Sequence, residues 1–203
     1  MSAASEPKRT FAVDLAQDVR VVTAMADRLT PYIYESELYG MLSDPSLPRL
    51  TVGGLLMRLA RLHALHDQLS PSQQAAVEAA QRKLDEVRRA WAVHYEGKLR
   101  QELQARIGAL EHFAYECAEH LRACADNYPS AMEKRVMVEH LRDAALEVNV
   151  LSDDLKGRLT ALDNAISRCI EKGEFCWSEQ VQPAYPPQKF WFLYARVRKP
   201  VAK

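Results

Sequence analysis

His112, Glu116 and His120 follow one another at intervals of four residues. On a helix that spacing sets two imidazoles and a carboxylate in one stripe, beside the apolar stripe Phe113, Cys117 and Leu121. These are the ligand types of a zinc or other transition-metal site. A chain reversal centred near Pro129 would turn His120 toward Val138–His140 and let His140 or Glu139 join the set. Against a metal, the chain has neither a Glu-x-x-His pair of the di-metal bundle kind nor a His-Glu-x-x-His motif. Polar residues beside a buried seam ordinarily make hydrogen bonds and salt bridges across it, and that is the preferred reading of all four. His63 and His66, three apart among arginines, make a weaker pair.

Two other groups have chemical character. Residues 51–66 (TVGGLLMRLARLHALH) form a basic amphipathic stretch, with Arg58 and Arg61 opposite Leu55, Leu59 and Leu62. The leucines are expected to face a core and the arginines water. Gly53-Gly54 at its start could hold an anion on exposed amides, or could mark close approach to a neighbouring helix. The second group is aromatic and basic: Trp177, Tyr185, Phe190, Trp191 and Tyr194, with Arg196, Arg198 and Lys199 close by. Trp, Tyr and Arg are enriched at protein interfaces, so these residues are candidates for a partner-binding surface or for a seal on the end of a bundle. No Gly-rich phosphate loop, Cys-x-x-Cys pair or acid/base dyad occurs, and no cofactor is expected.

The elements that must position these residues are helical. Residues 72–128 contain no proline and only two glycines, Gly97 and Gly108. Apolar residues recur from Val77 to Tyr128 in fourteen steps over 51 residues, or 3.64 per step, close to the α-helical period. Trp91 and Tyr95 fall in this stripe and read as core. One helix of that length would run about 86 Å, against roughly 45 Å for a compact domain of this size. Either it breaks, or it is a spine needing cover from elsewhere. A second series, Met137 to Ile170, has a mean step of 33/9, or 3.67, and predicts a return helix ended by Gly173. Asn127-Tyr128-Pro129-Ser130 is the expected turn between the two.

Ahead of the spine, three helices are expected. They are Val13–Leu29, Tyr32–Leu42 capped by Thr30-Pro31, and a third from Thr51 to about Leu69. Ser70-Pro71 should cap the spine. Behind it, Glu174–Val181 and Lys189–Val197 read as a β-hairpin.

The fold expected is therefore mainly α: an elongated helical bundle built on a long antiparallel hairpin, with a small C-terminal β-hairpin. Its parts are a flexible tail at 1–10, a three-helix segment at 11–70, the hairpin at 71–173 and an aromatic tail at 174–203, all one structural unit.

Charge narrows the function. Lysine plus arginine equals aspartate plus glutamate at 27 each, and only residues 174–203 are lopsided, with 5 basic and 2 acidic groups. This balance argues against nucleic acid as a partner, since such binders need a basic face. The longest apolar run, Phe190–Ala195, is far too short to span a membrane. Residues 1–10 have no apolar core of a secretory signal, and a cytoplasmic protein is expected. Cys117 and Cys124, about 10 Å apart along one helix, should not bridge, so all four cysteines read as reduced.

The favoured function is a non-enzymatic interaction or scaffold protein with a seam of coiled-coil type. It would self-associate, as a dimer, to cover that seam, and the C-terminal aromatics would offer a second surface for a protein partner. The alternatives are a ligand- or metal-binding bundle around His112, Glu116 and His120, and a nucleic-acid adaptor using Arg58, Arg61 and Arg196–Lys199.

Overall fold

A computed structural model describes residues 12–199. The expected tail at 1–10 and the last four residues of the 174–203 segment lie outside the described residues. The chain is a helical bundle with one small antiparallel sheet near its C-terminal end.

Helix α1, Leu15–Tyr34, starts where the Asp14 carboxylate accepts from the amides of Ala16 and Gln17. It runs through Pro31 rather than stopping before it, and no second helix follows; residues 35–51 are turns pinned by a Gly40–Leu50 bridge. Packing overrides the local proline rule here. Tyr32 and Ile33 are buried, and the Tyr32 hydroxyl donates to the Leu38 carbonyl (2.8 Å), which holds the last turn in helical form. Gly40 sits so close beneath Tyr32 that a Cβ would lie 2.6 Å from its ring.

Helix α2, Val52–Ala64, begins as expected at Thr51, whose hydroxyl accepts from Gly54 (3.0 Å). A 3-10 turn at His66–Gln68 leads to Ser70, which caps helix α3, Pro71–Ala90, in a reciprocal capping box with Gln73. Helix α3 lies parallel to α1: Lys83 pairs with Asp27, and further along Trp91 meets Tyr34. This packing buries Val77, Ala80, Leu84 and Val87 within the chain.

The 57-residue spine is broken twice. Trp91 leaves the helix (φ −131°, ψ 41°), and so does His120 (φ −136°, ψ 68°). Helix α4, Ala92–Glu119, and helix α5, Leu121–Glu147, form the long antiparallel hairpin. One end is marked by Cys117 meeting Cys124, the other by Arg88 pairing with Glu147. The reversal is thus at His120 and not at Asn127–Ser130. Pro129 sits inside α5, and its carbonyl accepts from Trp177 Nε1 (3.0 Å).

The return segment also divides. Asn149 adopts a left-handed backbone (φ 56°), which an asparagine tolerates, and Ser152 caps helix α6, Asp153–Cys169. Helix α6 runs back along α4, joined to it by Arg158 and Glu111 (2.7 Å), and reaches α5 through Arg135 and Asp163 (2.9 Å).

Strand β1, Ile170–Lys172, follows α6 directly and pairs with strand β2, Ala195–Val197, in the register Ile170↔Val197. Gly173 therefore does not end a helix, and Glu174–Val181 is not the partner strand. Residues Glu179–Ala184 and Trp191–Tyr194 are 3-10 turns. Phe190, Phe192 and Leu193 are all buried, which an alternating strand cannot do for adjacent residues but a tight turn can.

Among the described residues, no helix is long and apolar enough to cross a membrane.

Candidate functional site

The histidine stripe is only partly assembled. His112 Nε2 lies 3.2 Å from Glu116 Oε1, both exposed on α4. His120 occupies the reversal and shares a groove of about 130 Å³ with Phe113, Glu116 and Asn127. His140 is elsewhere. Twenty residues along α5 place it about 30 Å away along the helix, because the reversal is nine residues earlier than Pro129. Among the described residues, no group of three or more His, Cys, Asp or Glu is arranged to hold a metal ion.

The same shift brings Cys117 and Cys124 together in a disulfide, their Cα atoms 4.9 Å apart. The reduced, unbridged reading assumed a helix continuing through residue 120. Folding back halves the separation and brings it within bridging range. Cys169 and Cys176 are free, as expected.

His140 is enclosed instead by the C-terminal aromatics, with its ring 5.7 Å from Phe190. Burial pushes its imidazole down to about 4, nearby Lys189 and Arg61 push the same way, and Asp143 opposes them. Its Nε2, like Arg61 Nη2, is buried without a hydrogen-bond partner among the described residues.

Charges buried in the bundle are what sequence reasoning missed most clearly. Arg61, expected to face water, is 3% exposed; its Nη1 donates to Asp18 (2.7 Å) and its Nε to the Tyr185 hydroxyl (2.7 Å). Arg58 joins the same carboxylate (3.1 Å). Neither arginine is left for a nucleic-acid phosphate. Glu102 is fully buried. It accepts from Arg106 Nε (2.6 Å) and from the Gly53 amide (2.9 Å), so the anion held at the start of α2 is the chain's own carboxylate. Gly53 also marks close approach, since a Cβ there would lie 2.8 Å from Leu141 Cδ1.

The expected interface residues separate into two sets. Trp177, Tyr185 and Phe190 are core, stacked edge-to-face with ring centroids 5.1 Å apart in each successive pair. They seal the bundle. Trp191 and Tyr194 are half-buried, and Arg196 is exposed, paired with Glu171 (2.8 Å). Trp191 and Tyr194 line an open groove of about 330 Å³ together with Ser167, Ile170, Lys172 and Pro187.

The clearest exposed apolar surface is at the first break. Arg89 to His94 are six consecutive exposed residues, an arrangement an amphipathic helix does not produce. Trp91 is 40% exposed, Val93 76% and Tyr34 48%. The Tyr34 ring meets Trp91 at 5.0 Å and His94 at 4.7 Å. Trp91 stands between the buried positions Val87 and Tyr95, and its non-helical backbone swings it out of the stripe that spacing assigned it to.

No family model, no curated protein and no solved structure matches the chain.

Proposed function

We propose that this protein is a non-enzymatic helical interaction protein that self-associates as a dimer through the face at the break between α3 and α4. The seam does not support this reading, because α1 covers Val77–Val87 within the chain. What supports it is the run Arg89–His94, in which Trp91 and Val93 are exposed, with the exposed Tyr34 packed against it.

A second copy suits this face. Ala90 and Ala92 are small enough for two helices to approach closely. Cys117 and Cys124 are bridged while Cys169 and Cys176 are thiols, so cysteine usage does not select the cytoplasm as the working compartment.

Sedimentation equilibrium of the wild type beside Trp91→Glu tests it. A wild type that dimerises at micromolar concentration and a folded, monomeric variant are expected. Equal association of the two would refute the assignment of the face.

A further inference from the structure

The tip of the α4–α5 hairpin buries little besides its own disulfide. From Tyr115 to Asn127 only Cys117 and Cys124 are buried and Leu121 is half-buried; the other residues are exposed. The core resumes on either side, at Ala114 and Tyr128. The bond therefore ties two helix ends at the margin of the bundle. Both cysteines line the groove of about 130 Å³ beside His120 and Asn127. That volume is well under the roughly 300–1,000 Å³ of a pocket for a drug-sized ligand, so the groove suits only a small molecule. The two sulfurs also differ in their surroundings. Cys117 is in the last turn of α4, at the negative end of that helix dipole. Cys124 is the fourth residue of α5, and its side chain is directed back toward the positive end. Negative charge is favoured on the Cys124 sulfur over that of Cys117. The two free thiols have no such arrangement: Cys169 is buried, and burial pushes the Cys176 thiol up to about 12.

We propose that Cys117 and Cys124 form a thiol–disulfide exchange site for small organic disulfides, with Cys124 as the nucleophile and Cys117 as the resolving thiol. The structure holds the oxidised state. In the reduced state Cys124, its proton lost to solvent, attacks one sulfur of the small disulfide. The S–S bond of the ligand breaks, and the released thiolate takes up a proton. The mixed disulfide on Cys124 is then attacked by Cys117, which gives its proton to solvent and forms the Cys117–Cys124 bond. The second ligand sulfur leaves and is protonated in turn. The protein dithiol is oxidised, and one small disulfide is reduced to two thiols. The position at the tip lets the bond open and close while the core beyond Ala114 and Tyr128 stays packed. Trp91 is 26 residues away, about 39 Å at the helical rise, so this site and the dimer face can fail independently.

The test mixes the reduced full chain with 2-hydroxyethyl disulfide, quenches with acid and maps the cysteines by mass spectrometry. The wild type should regain the Cys117–Cys124 bond and release two small thiols per chain. The rate should rise in proportion to the disulfide concentration, and Cys169 and Cys176 should stay unmodified. Cys117→Ser should release one thiol and keep a lasting adduct on Cys124. Cys124→Ser should react about threefold more slowly, the size of two opposed helix-end effects on the attacking sulfur. Circular dichroism checks that both variants are folded, and the wild-type result needs neither. The Trp91→Glu variant should react as the wild type does. A wild-type rate independent of disulfide concentration, adducts on Cys169 or Cys176 in place of the Cys117–Cys124 bond, or folded variants in which Cys117 reacts as fast as Cys124 would each overturn the proposal.

Discussion

Acidification should destabilise this protein through His140. The imidazole sits on α5 against Phe190, facing Lys189, Arg61 and Asp143, and its ordinary value of 6.5 is brought down to about 4. The unfolded chain therefore binds a proton between these two values that the folded chain refuses. Above pH 6.5 the group has no effect on stability. As pH falls from 6.5 toward 4 the unfolded state gains relative to the folded one, and below 4 the full difference has been lost. A gap of about 2.5 pKa units corresponds to about 3 kcal/mol, a large part of the roughly 5–15 kcal/mol that holds a domain together. Urea unfolding at a series of pH values, for the wild type and for His140→Leu, isolates the effect, because carboxylates that titrate in the same range are common to both. The difference between their stabilities should shift by about 3 kcal/mol between pH 7 and pH 4. Parallel pH profiles, or a His140 resonance titrating near 6.5, would refute the reasoning.

Three further perturbations have defined outcomes. Reducing the Cys117–Cys124 bond, which closes a loop of sequence separation 7, should cost about 2–3 kcal/mol, read from the urea midpoint with and without reductant. Glu102→Ala should cost about 3–5 kcal/mol, because it leaves Arg106 charged and buried and the Gly53 amide without an acceptor; Glu102→Gln, which can still accept from Gly53, should cost less. Gly157→Ala should raise stability by about 0.5–1 kcal/mol, since the position is helical and a Cβ there has nothing within 4 Å among the described residues; an unchanged or lowered midpoint would contradict this.

Helix starts were the most legible features. Thr51 and Ser70 cap their helices through atoms three residues away, and such short-range chemistry can be read directly from adjacent letters. The apolar period from Val77 to Tyr128 correctly announced helix, and the antiparallel hairpin followed from it. Periodicity does not say where a helix bends. His120 is neither glycine nor proline, and among the described residues α5 starts there with no side-chain cap hydrogen bond. The reversal lies where α4 and α5 pack along each other and α6 packs on α4. Pro31 and Pro129 mislead for the same reason, since tertiary contacts around Tyr32 and Trp177 outweigh one lost backbone hydrogen bond at each.

At the candidate sites the obstacle was distance along the chain. Asp18 and Arg61 are 43 residues apart, and Arg61 and Tyr185 are 124 apart, so nothing local marks those arginines as internal. Trp91 was misread because spacing shows which residues share a stripe only while the backbone stays helical. Aromatic and basic composition leaves the C-terminal tail open between an interface and a seal, and which of its rings face outward depends on the 3-10 turn at Trp191–Tyr194.

The mass of the protein in solution tests the account most directly. Light scattering of the wild-type chain across the micromolar range should give twice the 23.0 kDa of a single copy, falling toward one copy on dilution. A mass of 23.0 kDa at every concentration would contradict it.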